Sequence, residues 1–172
     1  MIFGNPRKFA IQIEAIPDWS GSNSCEGLFC LYLNSYRLSA ARVRSENINI
    51  ATLQLLHGLE NPNSNVRKPV PLPNSFIDTN DKATLGFLYN LTYPIDATDM
   101  SAVNCWDYVI SPDALSDTGF ELFIYTKEAG EVLVGGSISE GIAMSVLIPL
   151  GTTLSIAKQA YEHAKNLSGI TI

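Results

Sequence analysis

A chain of 172 residues fits one domain and can bury about 70% of the surface that its unfolded form exposes. Apolar residues make up 46% and charged residues 16%, which excludes disorder, and no apolar run approaches the roughly 20 residues of a membrane-spanning helix. The net charge of −6 is uneven, with seven basic and five acidic residues in 1–74 (+2) against four basic and twelve acidic in 75–172 (−8), and this argues against nucleic acid as a direct ligand.

In chain order, Phe9, Ile11, Ile13 and Ala15 alternate with Ala10, Gln12 and Glu14, the period-two pattern of a strand that stops at Pro17. Gln12 and Glu14 interrupt the apolar run and Arg7 and Lys8 lie inside it, so it does not read as a signal peptide. The chain therefore reads as cytosolic. Trp19 precedes a loop by composition, Ser20 to Ser24. Gly27 to Leu33 is a second apolar run, Asn34-Ser35 a turn and Tyr36 to Ala40 a third strand, after which Arg42 and Arg44 share a solvent-facing side. Ile50, Leu53, Leu56 and Leu59 recur at helical spacing, with Asn49 as N-cap and Gly58 as the stop. Pro62, Pro69, Pro71 and Pro73 mark a surface loop from Glu60 to Asn74.

Asn80 or Asp81 caps a second helix in which Leu85, Leu88 and Leu91 lie along one side, ending before Pro94. Cys105 to Ile110 reads as a strand with Trp106, Tyr108 and Ile110 on one face. Ser111-Pro112-Asp113 and Asp117-Thr118-Gly119 are turns. A meander follows. Phe120, Leu122 and Ile124 alternate with Glu121, Phe123 and Tyr125; Lys127 to Gly130 turns the chain; Val132 and Val134 resume the rhythm. Ile142, Met144, Val146 and Ile148 then share one face of a third strand that Pro149 ends. Thr152 caps the last helix, whose stripe is Leu154, Ala157, Tyr161, Ala164 and Leu167. Strands, helices, strands and a helix in that order predict an α+β fold in one domain, 1–172. Its antiparallel sheet combines the N-terminal strands with the C-terminal meander and packs on one face against two or three helices, the C-terminal one included.

Side-chain chemistry is sparse. His57 precedes Gly58 at a helix C-terminus, where positive charge is favourable, and His163 falls on the exposed half of the last helix. Neither has a nucleophile in a recognisable motif beside it. Cys25, Cys30 and Cys105 cannot all pair within one chain, which suits free thiols in a reducing compartment. With His57 they lack the close-paired spacing of a zinc site, so no metal is expected. Gly135-Gly136-Ser137 matches neither a P-loop nor a dinucleotide fingerprint and reads as a bulge or strand break. The unusual feature is acidic. Asp96, Asp99, Asp107, Asp113 and Asp117 fall within 22 positions, flanked by Lys82 and Lys127 only. As turn and solvent-facing residues they need no further role. As a negative patch, with Tyr93, Trp106 or Tyr108 as aromatic anchors, they would make a protein-binding surface.

The sequence Met1-Ile2-Phe3-Gly4-Asn5-Pro6, two variable residues and Phe9-Ala10-Ile11 resembles the opening of a bacterial immunity-protein family, number forty-two in the polymorphic-toxin series. Trp19 resembles the family's early tryptophan. Gly27-Leu28-Phe29 with Tyr32 and Asn34 is similar to its second strand and turn, and Ile148-Pro149-Leu150-Gly151-Thr152 to its entry into the final helix. Asn5 stands where the family often has Asp, which keeps the turn chemistry and drops the charge. Residues 60–118 carry no matching motif. The resemblance implies a cytoplasmic protein that binds and neutralises a cognate bacterial toxin by protein–protein contact, with no catalytic residue and no cofactor. An acidic inhibitor suits a basic toxin, as nucleases are at their active sites, and the partner-binding residues expected are Tyr93, Asp96, Asp99, Trp106, Asp107, Asp113 and Asp117. A small cytosolic enzyme of unrecognised type and a protein-binding module unrelated to toxins are the alternatives. Independently of the resemblance, Gly4-Asn5-Pro6 is turn chemistry between Phe3 and Phe9, which predicts that the opening folds back and staples the first strand onto the core.

Overall fold

A computed structural model describes residues 1–20, 24–38, 46–60, 69, 71–72, 76, 80–93, 107–128 and 130–168. Its elements are β1 (Ile2–Gly4), β2 (Phe9–Ala15), β3 (Glu26–Leu33), β4 (Tyr36–Leu38), β5 (Glu46–Asn47), α1 (Ile48–Glu60), α2 (Asp81–Thr92), α3 (Asp113–Ser116), β6 (Glu121–Lys127), β7 (Gly130–Ser137), β8 (Ile142–Pro149) and α4 (Thr152–Ser168). The α+β architecture with antiparallel strands and a C-terminal helix is there. The strands divide into two sheets: the N-terminal sheet runs β1-β2-β3-β4 with β5 also on β3, and the meander is a sheet of its own, β6-β7-β8.

The opening folds back as expected, and does so as a strand. Phe3 pairs with Ile11 and Gly4 with Ala10, while the Asn5 side chain accepts from the Arg7 N–H at 3.0 Å and so closes the turn. Phe3 packs on the core and on the His163 ring, at 5.4 Å between centroids. His163 is therefore half-buried against the N-terminus and not solvent-facing. Asn34 and Ser35 both take positive φ, the requirement of a tight hairpin turn between β3 and β4. The third strand is described only to Leu38; Ala40, Arg42 and Arg44 lie outside the described residues.

Three sequence expectations shift by a turn or a face. Helix α1 buries Ile48, Ala51, Thr52, Leu55, Leu56 and Leu59, and leaves Ile50 53% exposed. Asn47 supplies the capping oxygen to Ile50, in place of Asn49, and the helix runs on through Gly58 to Glu60. Helix α4 buries Thr153, Ile156, Ala157, Ala160 and Ala164, and Leu167 points outward. Its small residues allow close approach to α1 and to β1 and β2, which it covers. Between Cys105 and Ile110, no strand forms over the described part: Val109 makes a single bridge to Phe123, and Cys105 and Trp106 lie outside the described residues. Helix α2 does match, with Asn80 accepting from the Ala83 N–H at 2.9 Å and Leu85 and Leu88 buried.

The meander is covered on both faces, not one. One face, with Leu122, Ile124, Leu133, Met144 and Ile148, joins the N-terminal sheet, α1 and α4 in the main core. The other, with Phe123, Tyr125, Val132 and Val134, lies under Leu85 and Leu88 of α2. Central strand β7 is thus buried at every position. Gly135 and Gly136 neither bulge nor break it, because both stay in register, opposite Met144 and Ala143. A Cβ on Gly135 would lie 2.8 Å from Leu38 and 3.0 Å from Leu33, so glycine is what lets the two sheets close on each other here. The free edge of β8 is partly occupied: Asp81 accepts from the Ser145 N–H at 3.0 Å and from its hydroxyl at 2.6 Å.

Candidate functional site

The sequence-predicted residues fall into three groups. Asp96, Asp99 and Trp106 lie outside the described residues. Asp107 turns partly inward: its Oδ1 is buried and has no hydrogen-bond partner among the described residues. Tyr108 is 4% exposed and donates to the Pro71 carbonyl at 3.1 Å, so it serves the interior and not a surface anchor. Tyr93 lies near enough to Asp113 to feel its charge, Asp117 ends the short helix that Asp113 opens, and Glu121 links Tyr93 to Ser116 of that helix.

Each is placed by local chemistry. Helix α2 ends at Thr92, ahead of Pro94, which leaves Tyr93 at its C-terminal edge, 38% exposed, with its ring 4.8 Å from that of Tyr89. Asp113 opens α3 directly after Pro112, and its carboxylate accepts from the Gln54 side chain of α1 at 2.6 Å while its N–H donates back to Gln54 at 3.1 Å. Asp117 closes the same turn and is exposed. Glu121, the first residue of β6, is only 8% exposed. Its two oxygens accept from the Tyr93 hydroxyl and the Ser116 hydroxyl, each at 3.1 Å. Sequence alternation assigned Glu121 to a strand face and passed over its role; no periodic signal marks a carboxylate that orients a tyrosine across the fold.

Burial first, and then the Glu121 charge and its hydrogen bond, push the Tyr93 hydroxyl up to about 12. The phenol therefore remains a donor throughout the physiological range. A group raised in the folded state contributes stability that is present below its unfolded value and is lost as pH climbs through the folded one. Stability should thus fall between pH ~10 and about 12 as the unfolded phenol ionises first, and Tyr93→Phe should remove that component from a series of urea melts across this window. A wild-type curve identical to that of Tyr93→Phe would contradict the assigned environment.

The remaining reactive groups are placed elsewhere. Burial raises both the Cys25 and the Cys30 thiols, with the Glu26 charge adding to the first and Arg37 opposing the second. His57 is exposed in the last turn of α1. Among the described residues no three His, Cys, Asp or Glu side chains group as metal ligands, and no helix is long and apolar enough to cross a membrane. What the Tyr93 region offers is a fixed aromatic donor beside buried and exposed carboxylates, an arrangement suited to holding a cationic, partly apolar surface.

The family model for Immunity protein 42 matches residues 1–163. No curated protein matches. Among solved structures, CdiI from Burkholderia dolosa AUO158 shares the fold, with a TM-score of 0.76 at 19% identity over 95% of this chain and 99% of that one. With the family matched over all but the last nine residues, the chain belongs to the Immunity protein 42 family.

Proposed function

We propose that this immunity protein neutralises its cognate bacterial toxin in the cytoplasm by occupying the toxin's surface, without making or breaking bonds. The family match over residues 1–163 carries that reading. The contact face is the one that holds Tyr93, Asp113 and Asp117 around Glu121, and Asp96, Asp99, Trp106 and Asp107 are proposed as contact residues on their chemistry alone. Its partner is a basic toxin, and a nuclease fits that description, because its active site must attract phosphate. The net charge of −6 supports this through steering, and the tyrosine pair supplies the apolar anchor that charge alone lacks.

Co-expression with the product of the neighbouring gene tests the whole reading. Rescue from its toxicity and co-purification of the pair support it; a harmless neighbour that forms no complex ends it. The contact face has its own test. Tyr93→Ala should weaken toxin binding by about 2 kcal/mol, the scale of an interface anchor. Asp117→Lys should slow association roughly tenfold at low salt, with the difference shrinking as salt rises. Glu140→Lys, the same charge change on the β7–β8 turn, should do neither. Equal effects at all three positions would remove the face from consideration.

A further inference from the structure

A cavity of about 270 Å³ opens where the C-terminus of α1, the start of α4, the end of β6 and the start of β7 meet. Leu59, Pro69, Leu150 and Leu154 give it apolar walls, and Glu131 is the titratable side chain upon it among the described residues. Glu131 is 1% exposed. Its Oε1 accepts from both the Thr153 N–H, at 2.7 Å, and the Thr153 hydroxyl, at 2.5 Å, whereas among the described residues Oε2 accepts only from the Gly151 N–H, at 2.8 Å. All three donors are neutral, and no basic side chain is among the described lining residues. A carboxyl group with acceptor capacity left on one oxygen thus stands beside an apolar space.

We infer that this cavity receives a lysine side chain of the toxin, its four-carbon stem against the leucines and its ammonium on Oε2 of Glu131; the inference rests on the immunity reading and deepens it. The chemistry selects among occupants. A purely apolar side chain would cover Leu59 and Leu154 but leave the carboxylate drier and still unpaired. A guanidinium makes its strong contact by gripping both oxygens of a carboxylate, and Oε1 is already taken by Thr153. An ammonium needs a single point and carries an apolar stem to reach it. Leu150, 60% exposed, offers further apolar surface for that stem to cover. The acidic chain as a whole favours a partner with lysines to present.

The test uses the whole protein and two small probes, Nα-acetyl-lysine methylamide and its norleucine counterpart, which has the same stem without the ammonium. The Gly151 and Thr153 amides report directly on Glu131 in a nitrogen–proton correlation spectrum. The lysine probe should shift both in a saturable way, at concentrations roughly tenfold below those the norleucine probe requires. Leu150→Trp, a change at an exposed position, should abolish the shift and leave the rest of the spectrum in place. Equal or tighter norleucine binding overturns the proposal in favour of a plain apolar pocket. No saturable shift with either probe, or a shift that survives Leu150→Trp, overturns it as well. None of these outcomes touches neutralisation of the toxin, which stands or falls on the co-expression experiment.

Discussion

Replacing Glu131 by alanine should destabilise the fold by about 3–4 kcal/mol, read as a lower urea midpoint at an unchanged slope. The residue is a charged side chain in the middle strand of a sheet, 1% exposed, and it holds the first turn of α4. Alanine would leave the Gly151 and Thr153 N–H groups and the Thr153 hydroxyl without acceptors, and remove the negative charge from the positive end of a 17-residue helix. Each orphaned group costs about 1–3 kcal/mol in a dry site, but water entering the adjoining cavity would restore part of it. Glu131→Gln keeps the shape and one acceptor, so a loss of roughly half that size is expected. A change below about 1 kcal/mol for alanine would show that solvent serves this helix end as well as the carboxylate does.

Gly136→Ala should cost about 3 kcal/mol or more, and should lower the yield of folded protein. A Cβ at this position would stand 2.1 Å from the Ile142 carbonyl oxygen and 2.9 Å from the Ala143 Cα. Both are backbone atoms of the neighbouring strand, so no side chain can swing aside; relief requires the β7–β8 ladder to open where Gly136 faces Ala143. Gly86 is the contrast. It lies in α2, where no atom of the described residues would come within 4 Å of an added Cβ, and Gly86→Ala should stabilise by about 0.5–1 kcal/mol through helix propensity alone. Similar thermal midpoints for the two variants would mean that β8 can yield.

Local pattern was enough to read β2, β3, the Asn34-Ser35 turn, the Asn80 cap and the meander, because each is specified by neighbours a few residues apart. Helix α1 was read with its apolar stripe rotated, since Ile48, Ile50, Leu53, Leu55, Leu56 and Leu59 crowd several sides and more than one phase satisfies the spacing. Strand β1 has three residues, too few to show a period. The division into two sheets depends on which strand edges meet, and a strand's own pattern holds no record of that. For the candidate site, Tyr93, Asp113 and Asp117 were legible as exposed aromatic and acidic types. Glu121 and Glu131 were not, because a charged residue inside an alternating strand reads as solvent-facing until the partners that let it be buried are known.

The N-terminal strands are sealed by a helix made long after them, α4. Helix α4 lies on β1 and β2, with Ile156 against Gly4 and His163 against Phe3, so these strands have no finished interior until α4 arrives. A ribosome adding ~5–20 residues per second has therefore to pass Ser168 before β1 and β2 are covered. The residues synthesised first thus stay uncovered longest, and a chain stopped before Thr152 would leave Phe3 and Ile11 without the helix that packs on them.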